Sequence, residues 1–388
     1  MKFDLSKAQR GILDSIVDWH KSLQKKYLTL GGYAGTGKTT LLGYLNTMLH
    51  EERANIKIAY CTFTGKASVV LRRKLEETKS LKSSDYIGTI HKLIYKPILD
   101  DEDNILAWSL IDVDDFDYDL IIIDEASMVP KNIWEDLLSF SKPILAVGDH
   151  GQLPPIDSNF NLMQNPELKL EEIYRQEREN PIIKVSEIAR KYGNIPAIEF
   201  SKTVRKFTKD SDEISDFLNE QFESYSKDLM ILTGYNSTRI KLNKGIRQLL
   251  HFDSPYPQQE DRVICLKNDY DSGVFNGMTG TILSISKEKN GNIDYYDAEI
   301  EFDDENSTSF VNMDVNQFNS SQPAKITNRS ICLFDFGYVF TVHKAQGSQS
   351  EKVILFEERF PQMSDDEWRR WLYTGVTRAV SELYIIGR

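Results

Sequence analysis

The sequence predicts an α/β protein built on parallel, doubly wound sheets, and two observations lead to this fold class. Apolar runs typical of buried strands, at residues 120–123 and 144–147, alternate with stretches of helical periodicity in the first half of the chain. The same alternation returns in the second half, with strand-like runs at residues 229–233, 336–341 and 352–356. Strands that alternate with helices pack as a parallel sheet covered by helices on both faces.

A different pattern interrupts the second half of the chain. Short runs with β-like alternation, at residues 261–266, 279–285, 296–302 and 308–313, are separated by turns rich in Gly, Asn and Asp. This spacing is typical of antiparallel strands joined by tight turns. We therefore expect a small antiparallel module inserted in the second α/β domain.

The composition fits a folded protein of two or three domains. Of the 388 residues, 40% are hydrophobic and 27% are charged, which allows apolar cores to form. The sequence has no apolar run long enough to cross a membrane, and its N-terminus does not resemble a signal peptide. The cysteines Cys61, Cys265 and Cys332 lack the spacing of metal ligands. These features predict a cytoplasmic protein with reduced thiols and no membrane partner.

The net charge of −12 argues against general binding to polyanions, but the charge is unevenly distributed. Residues 100–119 contain nine acidic residues and residues 290–318 contain eight, and neither segment contains Lys or Arg. Without these segments the chain has 42 acidic and 47 basic residues. The acidity therefore lies in two segments that we expect to be insertions, and the rest of the surface can still face an anionic partner.

A glycine-rich turn between the first strand and the next helix matches a phosphate-binding loop. Residues 32–39 read GYAGTGKT, which fits the pattern G-x-x-x-x-G-K-[ST] at every fixed position. Glycines let backbone N–H groups close around phosphate oxygens, and the helix N-terminus adds a partial positive charge. Lys38 is expected to bridge the β- and γ-phosphates of ATP, and Thr39 to bind Mg²⁺. The loop residues predicted to bind the nucleotide are Gly32, Gly35, Thr36, Gly37, Lys38, Thr39 and Thr40.

An acidic pair at the end of an apolar strand completes this predicted site. Residues 120–123 are all Leu or Ile, and Asp124 and Glu125 follow them directly. Ligands bind at the carboxyl ends of strands in such sheets. Asp124 is expected to hold Mg²⁺ together with Thr39, and Glu125 to orient or deprotonate the attacking water. The sequence therefore predicts an ATPase with ATP and Mg²⁺ as cofactors.

Taken together, the motifs resemble those of superfamily 1 DNA helicases of the RecD/Dda type over nearly the whole chain. Residues 64–67 (TGKA) and 89–93 (TIHKL) are similar to motif Ia and the next DNA-contacting segment, and residues 148–155 (GDHGQLPP) to motif III. Residues 337–347 and 373–379 are similar to motifs V and VI. The resemblance implies two RecA-like P-loop domains with ATP in the cleft between them and a single strand of DNA across both.

The resemblance also implies roles for residues around the nucleotide. Gln9 matches the glutamine that reads adenine, Gln152 the γ-phosphate sensor of motif III, and Gly347 a nucleotide-binding glycine of motif V. Arg175, in a string similar to motif IV, and Arg378 of motif VI are expected to stabilise the charge on the γ-phosphate. An arginine in this role accelerates phosphoryl transfer by about 10³–10⁵. The predicted catalytic residues are Lys38, Glu125, Gln152, Arg175 and Arg378.

The same resemblance divides the chain into domains. Residues 276–280 (NGMTG) resemble the N-G-x-x-G turn of the SH3-like module in these helicases, which implies that the β insertion is SH3-like. The acidic residues of this insertion argue against direct binding of phosphates by it. The predicted domains are residues 1–178 with a short hairpin insertion at about 94–117, residues 179–254 plus 331–388, and the insertion at 255–330.

Single-stranded nucleic acid is usually held by basic residues and aromatic platforms. The resemblance implies a β-hairpin of the first domain that acts as a pin at the fork. Residues 97–108 are the candidate hairpin, with Trp108 as the flat side chain that would contact bases. The alternative is that Trp108 only packs the hairpin onto its domain or onto the β insertion. The residues predicted to bind DNA are Phe63, Thr64, Lys66, His91, Pro97, Trp108, Tyr235, Asn236, Thr341, His343 and Lys344.

These inferences predict an ATP-dependent DNA helicase, and the resemblance implies movement in the 5′→3′ direction. Its expected partners are single-stranded DNA, forked or tailed duplex DNA, and replication or recombination proteins. Two alternatives stay open: a nucleic-acid-stimulated ATPase that remodels without unwinding, and a DNA-binding motor subunit of a nuclease complex. RNA is an alternative track, because contacts to the 2′-hydroxyl cannot be identified from sequence.

Overall fold

The chain forms two units, each with its own mainly parallel sheet. The computed structural model describes residues 5–22, 24–99, 105–155, 160–172, 179–267, 274, 276–291, 293–303, 308–320 and 331–388. The first unit is Met1–Glu179 and the second is Asn180–Arg388. Within the described ranges, no helix is both long and apolar enough to traverse a bilayer.

The first unit contains a six-stranded parallel sheet with helices packed against it. Its helices are α1 (Lys7–Ser22), α2 (Lys38–Glu52), α3 (Gly65–Glu77), α4 (Ile90–Ile94) and α5 (Lys131–Ser139). Its strands are β1 (Tyr27–Gly32), β2 (Ile58–Thr62), β3 (Tyr86–Thr89), β4 (Tyr95–Leu99), β5 (Ile105–Leu110), β6 (Leu120–Ile123), β7 (Ile144–Gly148) and β8 (Leu168–Leu170). The strand order in the parallel sheet is β3-β2-β6-β7-β1-β8.

The strand β6 shows why the apolar run at residues 120–123 has no polar alternation. All four of its side chains are fully buried. Leu120 and Ile122 join the apolar layer that contains α1 and α2, whereas Ile121 and Ile123 join the layer that contains α5. Both faces of the sheet are therefore covered, as is usual for parallel sheets. This confirms the doubly wound α/β fold predicted for this half of the chain.

The strands β4 and β5 form an antiparallel hairpin inside the predicted insertion at residues 94–117. Tyr95 is opposite Leu110, and Pro97 is opposite Trp108. Residues 100–104, which would form the tip, lie outside the described residues. The two arms of the predicted hairpin are therefore present in the structure.

The second unit contains a second six-stranded sheet and a separate antiparallel sheet. Its helices are α6 (Pro181–Tyr192), α7 (Glu213–Glu223), α8 (Asn236–Leu249) and α9 (Asp365–Val376). Its strands are β9 (Glu199–Ser201), β10 (Val204–Thr208), β11 (Leu229–Thr233), β12 (Arg262–Cys265), β13 (Thr279–Asn290), β14 (Ile293–Phe302), β15 (Thr308–Asp314), β16 (Phe334–Phe336), β17 (Val339–Thr341), β18 (Ser350–Phe356) and β19 (Ala379–Gly387). The main sheet has the order β17-β11-β18-β19-β10-β9, with only the β9–β10 pair antiparallel.

The strands β12 to β16 form the β module, a five-stranded antiparallel sheet with the order β15-β14-β13-β12-β16. The prediction of one continuous strand at residues 336–341 is wrong. The chain leaves the β module at Gly337, where an added Cβ would lie 2.6 Å from the backbone of Val263. The strand therefore breaks into β16 and β17, and the sheet of the β module extends to Phe336, beyond residue 330. The SH3-like character of the β module stays a prediction.

Two polar side chains of α8 hold the strands that enter and leave the β module. Asn243 and Arg247 are four residues apart and therefore share one face of the helix. Asn243 Oδ1 accepts the backbone N–H groups of Tyr338 and Val339 at 3.2 and 3.1 Å. The Nε and Nη2 atoms of Arg247 donate to the two carboxylate oxygens of Asp261 at 2.8 and 2.9 Å. The β module is thus attached through buried polar contacts at both of its ends.

Replacement of Asp261 with Ala should destabilise the second unit. The side chains of Arg247 and Asp261 are 4% and 0% exposed, so the substitution leaves a buried guanidinium without its carboxylate. We expect the free energy of unfolding, measured by urea titration, to fall by about 3–5 kcal/mol. The exposed pair Lys287–Asp294 provides the control, and Asp294→Ala should cost less than about 1 kcal/mol. Equal effects of the two substitutions would contradict a stabilising role for the buried pair.

Candidate nucleotide site and nucleic-acid interface

The loop between β1 and α2 has the shape of a phosphate cradle. Gly35 and Gly37 have φ values of 74° and 80°, in the left-handed region that glycine adopts without steric cost. Gly37 is the N-cap residue of α2, so it places no side chain over the helix N-terminus. The hydroxyl of Thr36 donates to the Tyr33 carbonyl at 2.8 Å and closes the loop. A phosphate fits this position, because backbone N–H groups at a helix N-terminus attract negative charge.

Lys38 folds over the same loop. Its Nζ donates to the carbonyl oxygens of Gly32 and Tyr33 at 2.8 and 3.1 Å. An added Cβ on Gly32 would lie 2.8 Å from Thr36 Oγ1 and 3.0 Å from Lys38 Cγ, so a larger residue would displace these side chains. The remaining predicted loop residues, Thr39 and Thr40, lie in the first turn of α2. The donor set of the loop fits the triphosphate of ATP.

The structure brings Gln9 to the phosphate loop. Gln9 is a buried residue of α1, and its Nε2 donates to the carbonyl of Thr36 at 3.2 Å. Its Oε1 accepts the backbone N–H of Ser6 at 3.0 Å. Gln9 therefore connects the start of α1 with the loop. Its role in reading adenine stays a prediction.

The predicted acidic pair lies at the carboxyl end of β6. Because β6 and β1 both pair in parallel with β7, the three strands end at the same edge of the sheet. Burial raises the pKa of the Asp124 carboxyl group, and the charge of Lys38 lowers it, so the two groups lie within electrostatic range of each other. Glu125 has a φ of 52°, which is uncommon for a residue other than glycine. Backbone strain of this kind is often found at functional sites.

The motif III segment contacts the phosphate loop within the first unit. Gln152 is buried, and its Nε2 lies 3.5 Å from an Asp149 carboxylate oxygen. The other Asp149 oxygen accepts the backbone N–H of Gly151 at 2.9 Å. The His150 ring lies 4.1 Å from the Tyr33 ring, measured between centroids. Burial lowers the pKa of His150, which favours the neutral imidazole near pH 7.

Thr39 and Asp124 offer the hydroxyl and carboxylate oxygens that Mg²⁺ prefers. In the part of the chain that the structure describes, no group of three or more His, Cys, Asp and Glu side chains forms a metal site.

Of the two predicted arginine fingers, Arg175 lies outside the described residues. Arg378 is buried between α9 and β19. Its Nε donates to the Thr374 carbonyl at 2.9 Å, its Nη1 to the Ser348 carbonyl at 3.1 Å and its Nη2 to the Thr377 hydroxyl at 3.1 Å. The guanidinium is thus held by oxygen acceptors of motif VI and of the segment that follows motif V.

The predicted DNA contacts of motif Ia and its neighbour lie together in the first unit. The Phe63 and His91 rings are 5.7 Å apart between centroids. Burial lowers the pKa of His91, so this residue contributes an uncharged ring near pH 7. Thr64 is the N-cap residue of α3, and its side chain accepts a backbone N–H at 3.3 Å. Lys66 lies in the first turn of α3, and its side chain is outside the described part of the structure.

The predicted pin presents apolar surface to solvent. Trp108 is 37% exposed and Ile98 is 44% exposed. Pro97 lies opposite Trp108 in β4, where a proline is tolerated because each strand of a two-stranded hairpin is an edge. This half-exposed aromatic ring is compatible with contact to a base and with packing of the hairpin.

The predicted contacts of the second unit lie at the ends of β11 and β17. Tyr235 precedes α8 as its N-cap residue and is half-buried. Asn236 is the exposed first residue of α8, and its Oδ1 accepts Arg239 Nε at 3.3 Å. Thr341 ends β17, and its hydroxyl accepts the backbone N–H of Lys344 at 3.4 Å. In contrast, Tyr338 of motif V is fully buried in the core and hydrogen-bonds Asp261.

Motif V contains two titratable groups with lowered pKa values. Burial lowers the pKa of His343 and favours its neutral form. Burial also lowers the pKa of Lys344 to about 8, while Cys265 raises it and Arg239 lowers it further. The ammonium group of Lys344 donates to the Oδ1 of Asn276 in the β module. Gly347, at the end of the motif, has a φ of 74°.

The sequence does not predict two contacts of this site. Asn276 lies in a predicted turn, and its side chain is the partner of Lys344, 68 positions away in the chain. His150 lies in the predicted motif III, and its ring lies against Tyr33 of the phosphate loop. No local spacing in the sequence signals either pair, because each depends on how distant segments fold together.

The chain matches two protein-family models. Residues 4–208 match an AAA domain, which covers more than half of the chain, and residues 336–386 match a UvrD-like helicase C-terminal domain. The second match begins at the end of the β module and includes motifs V and VI. The family matches therefore include the phosphate loop and the segments around Lys344 and Arg378.

Relatives and solved structures agree with these matches. The chain is 25% identical to the ATP-dependent RecD2 DNA helicase of Deinococcus radiodurans over 99% of this chain and 49% of that protein. It is 26% identical to the ATP-dependent DNA helicase dda of Enterobacteria phage T4 over 41% of this chain and 34% of that protein. The chain thus spans about half the length, or less, of these curated relatives.

Among solved structures, Pif1 helicases on forked double-stranded DNA share the fold, with a TM-score of 0.56, 18% identity and coverage of 99% of this chain and 92% of that chain. A Bacteroides Pif1 helicase with ADP-AlF3 and single-stranded DNA has a TM-score of 0.55, 18% identity and the same coverage. The chain therefore belongs to the AAA domain family. It is similar in sequence to helicases of the RecD and Dda type, and it shares its fold with Pif1 helicases.

Proposed function

We propose that this chain is an ATP-dependent DNA helicase that moves 5′→3′ on single-stranded DNA and separates duplex DNA. The observation that carries the proposal is the arrangement of the first unit, where the phosphate loop with Lys38 and the acidic pair after β6 lie at one edge of a single parallel sheet. The relatives named as DNA helicases support nucleic acid as the track. The proposed substrate places the chain beside DNA in the cytoplasm or nucleoid.

The proposed chemistry divides hydrolysis among residues of the chain. Bound ATP supplies the phosphoanhydride bond whose cleavage releases the free energy. Lys38 and the loop N–H groups orient and neutralise the phosphates, and Thr39 and Asp124 hold Mg²⁺. Glu125 orients the attacking water and accepts its proton. We also assign Gln152, Arg175 and Arg378 to this reaction, in which they would stabilise the negative charge on the γ-phosphate.

The proposed path of the strand uses both units. We assign the RecA-like domains to residues 1–178 and to 179–254 plus 331–388, with the insertion at 255–330. Neutral rings and lysines along the motifs would bind bases and phosphates, respectively. The residues proposed to bind DNA are Phe63, Thr64, Lys66, His91, Pro97, Trp108, Tyr235, Asn236, Thr341, His343 and Lys344. Replication or recombination proteins are the proposed partners.

Glu125→Gln should bind ATP but hydrolyse it far more slowly than the wild type. The substitution keeps the size of the side chain and removes its ability to accept a proton, and we expect kcat to fall at least about 100-fold. Phosphate release and binding of a fluorescent ATP analogue measure the two effects. Glu135→Gln on the exposed face of α5 is the matched control and should hydrolyse at the wild-type rate. Near wild-type turnover by Glu125→Gln would remove Glu125 from the mechanism.

Duplexes with a single-stranded tail test the helicase function. We expect unwinding of a duplex with a 5′ tail, no unwinding with a 3′ tail, and ATPase stimulation by single-stranded DNA. Stimulation without unwinding would favour the remodeller, and a requirement for a 3′ tail would contradict the proposed direction. Replacement of the DNA with RNA of the same sequence tests whether the chain prefers DNA or RNA.

The same substrates test the hairpin as a pin. Replacement of residues 99–107 with a short Gly-Ser turn should leave DNA-stimulated ATPase intact and abolish unwinding. Trp108→Ala should reduce unwinding if its ring contacts the fork. Loss of ATPase in the loop replacement would instead show that the hairpin is needed for folding of the first unit.

Binding of single-stranded DNA should weaken between pH 7 and pH 9 because Lys344 loses its proton. Its pKa of about 8 leaves it mostly charged at pH 7 and mostly neutral at pH 9, and only the charged form attracts phosphate. We expect the affinity to fall by up to about tenfold across this range, because the charged fraction of Lys344 falls by about this factor. Lys344→Arg stays charged and should remove the dependence, whereas an unchanged dependence in that variant would exclude Lys344 as its source.

A further inference from the structure

A glutamate side chain occupies the N-terminus of α8. The Oε2 atom of Glu358 accepts the backbone N–H groups of Gly234 and Tyr235, both at 2.9 Å. The Oε1 atom accepts the hydroxyl of Thr238 at 2.5 Å. Tyr235 makes no side-chain cap hydrogen bond of its own. Glu358 therefore supplies the negative charge that a helix N-terminus attracts, and both of its carboxylate oxygens are used.

The topology of the main sheet brings Glu358 to this position. β11 and β18 are parallel neighbours, with Leu232 opposite Leu355, so both strands end at the same edge. Gly234 follows β11, and an added Cβ on it would lie 2.7 Å from the Glu358 carbonyl oxygen and 2.9 Å from the Glu358 Cβ. The glycine thus permits the two backbones to approach closely enough for the carboxylate to reach its donors.

The residues that follow Glu358 hold the Tyr235 side chain. The Tyr235 hydroxyl donates to the carbonyl of Arg359 at 3.2 Å. The Tyr235 ring meets the Phe360 ring edge to face, with centroids 4.6 Å apart and an interplanar angle of 80°. Both rings are half-buried, so part of each stays accessible to solvent. Residues 358–360 therefore hold the backbone, the hydroxyl and the ring of Tyr235.

We infer that Glu358 is a positioning residue for DNA binding, which fills the anion position at the start of α8 and holds Tyr235 and Phe360 as a platform for a base. The inference rests on the proposed function. A DNA phosphate cannot use the N–H groups of Gly234 and Tyr235 while the carboxylate holds them, and the two negative charges repel each other. The strand therefore contacts this point through a base face. Stacking of one base on an aromatic ring changes affinity by about 5- to 150-fold.

Short oligothymidines that carry one abasic site at successive positions test this inference. For the wild type, we expect one position at which the abasic site weakens binding about tenfold. Glu358→Ala and Tyr235→Ala should each bind the intact oligonucleotide about tenfold more weakly and show no further loss at that position. Glu358→Gln keeps one acceptor oxygen for the N–H groups. In this variant the abasic site should therefore still weaken binding at the sensitive position, by nearly as much as in the wild type. Glu223→Ala, at the exposed end of α7, is the matched control and should behave as the wild type.

If Glu358 had only a structural role, its substitution would leave the same position of the oligonucleotide sensitive to an abasic site. Retention of the position-specific loss in Glu358→Ala, or tighter binding of the intact oligonucleotide by that variant, would overturn the inference. If circular dichroism shows that Glu358→Ala does not fold, Glu358→Gln and Tyr235→Phe test the inference instead. Tyr235→Phe removes the hydroxyl contact to Arg359, so the abasic site should weaken binding less in this variant than in the wild type. Failure of the wild type to bind DNA would overturn the proposed function as well, whereas normal binding with no sensitive position would overturn this inference alone.

Discussion

Parallel pairing of β1, β7 and β6 is the constraint on which the nucleotide site depends. Parallel strands end at a common edge, so the loop after β1 and the acidic pair after β6 are brought together without any direct contact in sequence. The strands can adopt this arrangement because their side chains are buried on both faces of the sheet. The glycines at positions 35 and 37 then let the backbone turn back around a phosphate.

In the second unit, α8 organises the surroundings of motif V. Its polar face holds both ends of the β module through Asn243 and Arg247, and its N-terminus is held by Glu358. Several carboxylates of this acidic chain are therefore bound to internal donors. The buried Asp261 and the half-buried Glu358 belong to this group.

The candidate nucleic-acid interface is built from groups with little fixed charge. Burial favours the neutral forms of His91 and His343, and it lowers the pKa of Lys344 towards physiological pH. In the first unit the Phe63 ring lies against the His91 ring, and in the second unit the Tyr235 ring lies against the Phe360 ring. Such groups would suit the proposed motor, which must release the strand in every cycle, because stacking tolerates any base and few ionic contacts must be broken.

The α/β class, the phosphate loop, the acidic pair and the family are predictable from the sequence alone. Each depends on local spacing, namely strand runs, a glycine pattern and short motifs in order. The break between β16 and β17, the pairing of Lys344 with Asn276 and the position of Glu358 at the N-terminus of α8 are visible only in the folded chain. These features join segments far apart in the chain. Their geometry follows from strand order and close backbone approach, which no local pattern of residues encodes.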